Sequence, residues 1–231
     1  MPPTLRTFAA TAALALVGCA DDPPPPPGPP PPAVLSFEGD YTPVDDGANV
    51  PGWETFRDSL RATLARRDTA ALLAAVAPDA RLSFEEETLV GGIGLRDMWF
   101  RGVTPEGRDP WRTLAGVLDG GSLDEDGAVI APFVTGLWPE EHDPLSSVAI
   151  VEADVPARES PMDSSTVVAT VSHLILPALA LPEDGWRMVQ LPDGRAAYVV
   201  AGQALSPIGY RATFWPELDG TWKLRSFLAG E

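Results

Sequence analysis

The chain has 231 residues, with 33 acidic and 16 basic side chains and a formal net charge of −17. A surface this acidic is repelled by nucleic-acid phosphates, so DNA and RNA are excluded as partners. With one cysteine and two histidines, neither a disulfide framework nor a histidine-rich zinc site is available, and no cofactor is expected.

Taken in chain order, the first element is an export segment. Arg6 precedes an apolar run from Phe8 to Val17, too short for the roughly 20 residues a membrane-spanning helix needs. The run ends in Leu16-Val17-Gly18-Cys19, which resembles the lipobox of bacterial lipoproteins. The resemblance implies cleavage after Gly18 and acylation of the Cys19 thiol. An ordinary secretory signal with a chance cysteine is the alternative. Two or more acyl chains make such an anchor stable. The expected location is the cell envelope, facing the periplasm. Ala20 directly after the cysteine favours the outer membrane.

Pro23 to Pro32, broken only by Gly28, reads as an extended polyproline spacer. Residues 33–51 carry the breaks Thr42-Pro43 and Pro51-Gly52 and read as a loosely ordered lead-in. Trp53, Phe56, Leu60 and Leu64 then recur at helical spacing. Asp68 caps a short second helix carrying Leu72, Leu73 and Val76, with Pro78 as its stop. Arg81 to Phe84 reads as a strand and Gly94 to Phe100 as another short helix. Asp109-Pro110 opens a helix bearing Trp111, Leu114, Val117 and Leu118, which Gly120-Gly121 ends. Ala128 to Val134 reads as a buried strand.

Beyond Trp138-Pro139 short strand candidates follow one another: Val148 to Val155, Thr166 to Val171, Trp186 to Leu191, Ala196 to Val200 and Tyr210 to Phe214. Turn signals such as Glu183-Asp184-Gly185 and Pro192-Asp193-Gly194 separate them. Strands at this spacing point to a small barrel.

Two segments carry a more specific signal. Val155-Pro156-Ala157-Arg158-Glu159-Ser160-Pro161 and the hairpin Gly185-Trp186 through Asp193-Gly194-Arg195-Ala196-Ala197-Tyr198-Val199 resemble the bacterial SH3 domain, the SH3b type. Ala197 and Pro156 depart from its usual pattern. The resemblance implies an all-β SH3-like barrel with ligand-binding candidates Arg158, Trp186, Arg195 and Tyr198, and peptidoglycan or an envelope protein as partner. The flanks are similar, more weakly, to NTF2-like cone folds, with a late hairpin from Tyr210 to Phe227 that an SH3b barrel does not need.

The expected architecture is therefore an α+β domain with a barrel inserted before a returning hairpin. Its parts are a signal peptide (1–18), a lipidated linker (19–51), the α+β domain (52–142), the barrel (143–207) and the hairpin (208–231).

Catalytic motifs are weak. Glu85, Glu86 and Glu87 read as solvated acids. The run from Ser122 to Phe133 lacks the Asp and Glu a calcium loop needs at its first and twelfth positions, and Gly91-Gly92-Ile93-Gly94 lacks the lysine of a phosphate cradle. Of the tryptophans, Trp111 fits a helix core, and Trp186 and Trp222 fit strand interiors. The expectation is a membrane-anchored, non-catalytic binding protein. Its rival is a cone-fold enzyme or small-ligand binder with a pocket lined by Phe84, Asp97, Trp99 and Trp111.

Overall fold

The computed structural model describes residues 34–82, 90–101 and 109–230. The export segment, Cys19, the proline run, Phe84 and Glu85 to Glu87 lie outside the described residues. The fold is mixed α/β, with more of its regular structure in strands than in helices.

In the N-terminal half, helix α1 (Trp53–Ala65) buries Trp53, Leu60 and Leu64 along one face. Helix α2 (Thr69–Ala74) starts where the Asp68 carboxylate accepts the Ala71 amide at 3.0 Å. Helix α4 (Pro110–Asp119) starts the same way, with Asp109 accepting from the Trp111 amide at 3.0 Å and proline at its first turn. Between them lie strand β2 (Val76–Arg81) and helix α3 (Gly91–Arg96), which runs on into a π-helical turn at Asp97–Arg101.

The expected second helix is thus shorter than its sequence pattern. It stops at Ala74, and Val76 opens a strand instead. Pro78 sits inside that strand because β2 is a sheet edge, where a missing amide hydrogen breaks no ladder. The predicted strand from Arg81 coincides with β2 only at Arg81, and its remainder is largely outside the described residues.

Strands β3 (Leu123–Glu125) and β4 (Ala128–Ala131) follow α4. They join the C-terminal hairpin, β11 (Arg211–Pro216) and β12 (Trp222–Leu228), in a five-stranded sheet of order β2-β12-β11-β4-β3. Phe214 pairs with Val129 of β4, and Leu224 pairs in parallel with Val76 of β2. The hairpin therefore occupies interior positions of the sheet against which the helices pack. Its inward residues Ala212, Phe214, Trp222, Leu224 and Phe227 share one core with Trp53, Leu60, Leu72 and Leu114.

The chain between β4 and β11 forms the sheet-rich part. Its strands are β5 (Ser147–Ile150), β6 (Val155–Arg158), β7 (Val167–Ser172), β8 (Leu174–Pro177), β9 (Trp186–Gln190) and β10 (Ala196–Val200). The single strand expected from Val148 to Val155 is two, β5 and β6, broken by a turn with Asp154 at φ 55°. Strand β8 has no counterpart among the strands the sequence predicts. The chain leaving β7 bends at His173, φ 52°, and crosses to pair with β5.

The lead-in at 33–51 is also more ordered than its composition implied. Residues Leu35–Glu38 form β1, which pairs in parallel with β7 from Leu35 opposite Ala169 to Glu38 opposite Ser172. The reason is tertiary: the ladder and the packing of Phe37 on the neighbouring core supply what local propensity lacks.

The result is a sheet of order β1-β7-β6-β10-β9 and a two-stranded sheet β5-β8. Both bury small aliphatics, including Val148, Ile150, Val171, Val189 and Val199, in one core. The strands do not close into a barrel; β8 and β9 meet only through a bridge between Ala178 and Val189.

Candidate functional site

The hairpin β9–β10 decides what the sheet-rich part presents. Its turn is set locally: Gly194 adopts φ 87°, and the Asp193 carboxylate accepts from the Arg195 amide at 3.1 Å and the Arg195 Nε at 2.7 Å. That turn fixes the register, with Tyr198 opposite Met188 and Val200 opposite Trp186. Alternation then places Arg187, Val189, Ala197 and Val199 inward, where all are buried. Trp186, Met188, Tyr198 and Val200 fall on the other face and stay at least partly exposed.

Strand β6 extends this outer face, since Arg158 is the register partner of Tyr198. Three of the four expected ligand-binding residues, Arg158, Trp186 and Tyr198, therefore share one sheet face. Arg195 sits apart, in the turn at the far end of the hairpin from Trp186. The separation is about 13 Å or more along the strand, at roughly 3.3 Å per residue.

Two of the four are already engaged. Arg195 is held by Asp193. Arg158 donates from Nη1 to the Ser165 carbonyl at 2.8 Å and ties down the loop between β6 and β7. The aromatic pair Trp186 and Tyr198 is what remains available for a ligand. Trp186 is half-buried on this face and is not the strand-interior residue its sequence context implied, because the parity of β9 assigns the interior to Arg187 and Val189. Met188 and Val200 complete the face. Their signal in the sequence was the period of two on either side of the Asp193-Gly194 turn.

Beneath it lies a buried arginine. Arg187 is 7 % exposed and its Nε has no hydrogen-bond partner among the described residues. Burial pushes its guanidinium down from its ordinary value.

Among the described residues, the alternative pocket candidates Asp97, Trp99 and Trp111 do not converge on a cavity. Trp99 is buried, edge-on to Tyr210 at 5.3 Å and tilted against Phe227 at 5.4 Å. Trp111 is half-buried against Phe100 at 5.1 Å. Asp97 is partly exposed and pairs with the Arg96 Nε at 3.3 Å. The centre of the α+β core is filled by Trp53, Phe214 and Trp222, whose rings contact one another at 4.9 and 5.4 Å. Among the described residues the buried polar side chains are Thr63, Ser122, Ser147, Ser172 and Arg187, with no carboxylate.

Open grooves mark the surface of the α+β part among the described residues. One, of about 410 Å³, lies between α1 and α4 over Leu64 and Trp111. The ion pairs Arg61–Asp119 and Arg67–Asp109, both 2.8 Å, cross it. Another, of about 490 Å³, lies on the sheet beside Trp215.

Ser122, first residue of the acidic run, hydrogen-bonds Asp45, and Asp124 accepts from the Gly127 amide at 2.9 Å. This run is thus a turn around its own backbone. No protein-family model, curated relative or solved structure matches the chain.

Proposed function

We propose that this chain is a lipid-anchored protein of the bacterial cell envelope, and that its sheet-rich part is a non-catalytic, SH3b-like binding module inserted into an α+β host. The anchor is Cys19, and the proline run holds the body away from the membrane. The module is an opened SH3-like barrel whose outer face takes a peptide of the cell wall or an exposed strand of an envelope protein. The observation that carries this reading is the shared face of Trp186, Met188, Tyr198 and Val200, aromatic and aliphatic side chains left partly exposed on a well-registered hairpin. Concave or flat apolar surface with a few polar groups is what peptide recognition uses. The hairpin β11–β12, returning to pair with β4 and β2, supports the insertion. The filled α+β interior supports a host over an enzyme.

Co-sedimentation with purified sacculi tests the ligand. Binding by the wild type that is lost in Trp186→Ala and Tyr198→Ala supports it. No binding at any salt concentration removes the cell-wall version and leaves an envelope protein as the partner. The anchor is tested by Cys19→Ala, which should leave the membrane fraction. Density-gradient fractionation that finds the wild type with inner-membrane markers would overturn the outer-membrane assignment.

A further inference from the structure

We infer that the groove beside Trp215 is a second binding site, one that takes a neutral saccharide through the face of the indole. This goes beyond the proposed module, because the groove belongs to the α+β sheet and shares no residue with the outer face of β9 and β10.

The first observation is Trp215 itself. It alternates with the fully buried Phe214 on β11, lies opposite Lys223 of β12 one residue beyond the last pairing of β11 with β4, and is 47 % exposed. Its side chain has no ring or hydrogen-bond contact among the described residues, whereas Trp53, Trp99 and Trp222 are packed into the core. A large aromatic held open at the end of a paired strand is a platform with nothing on it among the described residues. The flat, weakly polar face of an indole suits the C–H face of a pyranose ring. Leu218, fully exposed in the adjoining turn, extends the apolar edge.

The second observation is a β-bulge. Leu224 pairs with Phe214 and Ser226 with Thr213, so Arg225 faces no residue of β11. Such an extra residue re-aims its side chain. The Arg225 guanidinium bridges Asp79 at 2.6 Å and Glu217 at 3.1 Å across the groove. Each of these carboxylates keeps its second oxygen without a partner among the described residues. Planar donors and acceptors set side by side match pairs of neighbouring hydroxyls, and the ion pairs between them lower the ordering cost on binding.

Charge selects among occupants. Arg81 and Arg225 are offset by Asp79 and Glu217, so the groove has no net charge in a chain of −17. An anionic lipid surface gains nothing from compensated arginines and is repelled by the rest of the molecule. A neutral, hydroxyl-rich ring meets no such penalty. The volume, about 490 Å³, falls within the roughly 300–1,000 Å³ of small-ligand sites.

The test uses the full chain in a detergent without a sugar headgroup, titrated with chitotetraose and with maltotetraose and followed by tryptophan fluorescence and saturation-transfer NMR. At least one sugar should bind with a Kd of about 1 mM or below. Trp215→Ala should weaken it at least about tenfold, and Trp215→Tyr, which keeps a ring, should stay within about threefold. Trp186→Ala should bind as the wild type does. Absence of binding by both sugars, wild-type binding in Trp215→Ala, or a response to phosphatidylglycerol vesicles in place of sugar would each overturn the inference. Loss in Trp186→Ala with retention in Trp215→Ala would move the saccharide site to the outer face of β9 and β10, leaving the proposed module standing.

Discussion

Ser122 donates its hydroxyl to the carboxylate of Asp45, joining residues 77 positions apart in sequence. The same carboxylate accepts from Arg57 of α1 at 2.7 Å. Asp45 therefore links three separate pieces: the segment that follows β1, helix α1 and the start of β3. Tyr41 adds a second tie by donating its hydroxyl to the Leu137 carbonyl at 3.0 Å, and burial pushes its phenol up to about 12. These contacts explain how a lead-in rich in Pro, Gly and Asp is held in place.

Asp45 should make stability depend on acid. Partial burial on its own raises the carboxyl, but the hydrogen bonds from Ser122 and Arg57, with the charges of Arg57 and Arg61, outweigh it and hold the group below its ordinary value. The stabilisation is complete above the ordinary carboxylate range, near about pH 4, and fades as the pH falls through the folded-state value. Asp45→Asn should therefore unfold at lower urea than the wild type at pH 7, and the two midpoints should converge in acid. Asp45→Ala should cost about 1–3 kcal/mol, because it strands the buried Ser122 hydroxyl. Equal midpoints at pH 7 would show that the link contributes nothing.

Two glycines should respond in opposite directions to alanine. Gly121 has φ 74°, and a Cβ there would collide with the Val44 carbonyl oxygen. The left-handed backbone alone costs about 1–2 kcal/mol, and the collision should take Gly121→Ala to about 2–4 kcal/mol. Gly116, within α4, has nothing within 4 Å of an added Cβ. Gly116→Ala should stabilise by about 0.5–1 kcal/mol through helix propensity. Thermal melts of the pair read both signs in one experiment.

Phe214 is fully buried, 4.9 Å from Trp53 and 5.8 Å from Phe56 between ring centroids. Phe214→Ala should cost about 3–5 kcal/mol by leaving a void. Ending the chain at Ser206 should be worse, since it removes β11 and β12 and leaves β2 apart from β4. Near-ultraviolet circular dichroism should then lose the signal of the α+β aromatics. A cooperative urea transition in that truncated chain would contradict the observed strand order.

Trp186→Ala should be milder. Its side chain is only half-buried, so the expected loss is about 1–2 kcal/mol, below that of a core aromatic. Retention on sacculi should fall at temperatures well below the melting transition, which should drop by only about 2–8 °C. A loss as large as that of Phe214→Ala would place Trp186 in the core.

The sequence alone determined what short-range chemistry controls. Asp68 and Asp109-Pro110 began helices because a capping oxygen meets amides two or three residues away. Asp193-Gly194 made a turn because a glycine takes the positive φ there, 87°. The periodicity of Trp53, Leu60 and Leu64 named a buried face correctly, since a helix repeats within its own length. Tertiary structure decided the rest. Strand β1 forms because Leu35 to Glu38 find β7 more than 130 residues away; nothing local distinguishes them from a linker. Strand β8 exists because the chain bends at His173 and meets β5. Whether Trp186 or Arg187 faces inward is a matter of parity, settled by the core on which β9 lies. The bulge at Arg225 follows from the pairing of β12 with β11, and no pattern within β12 encodes it.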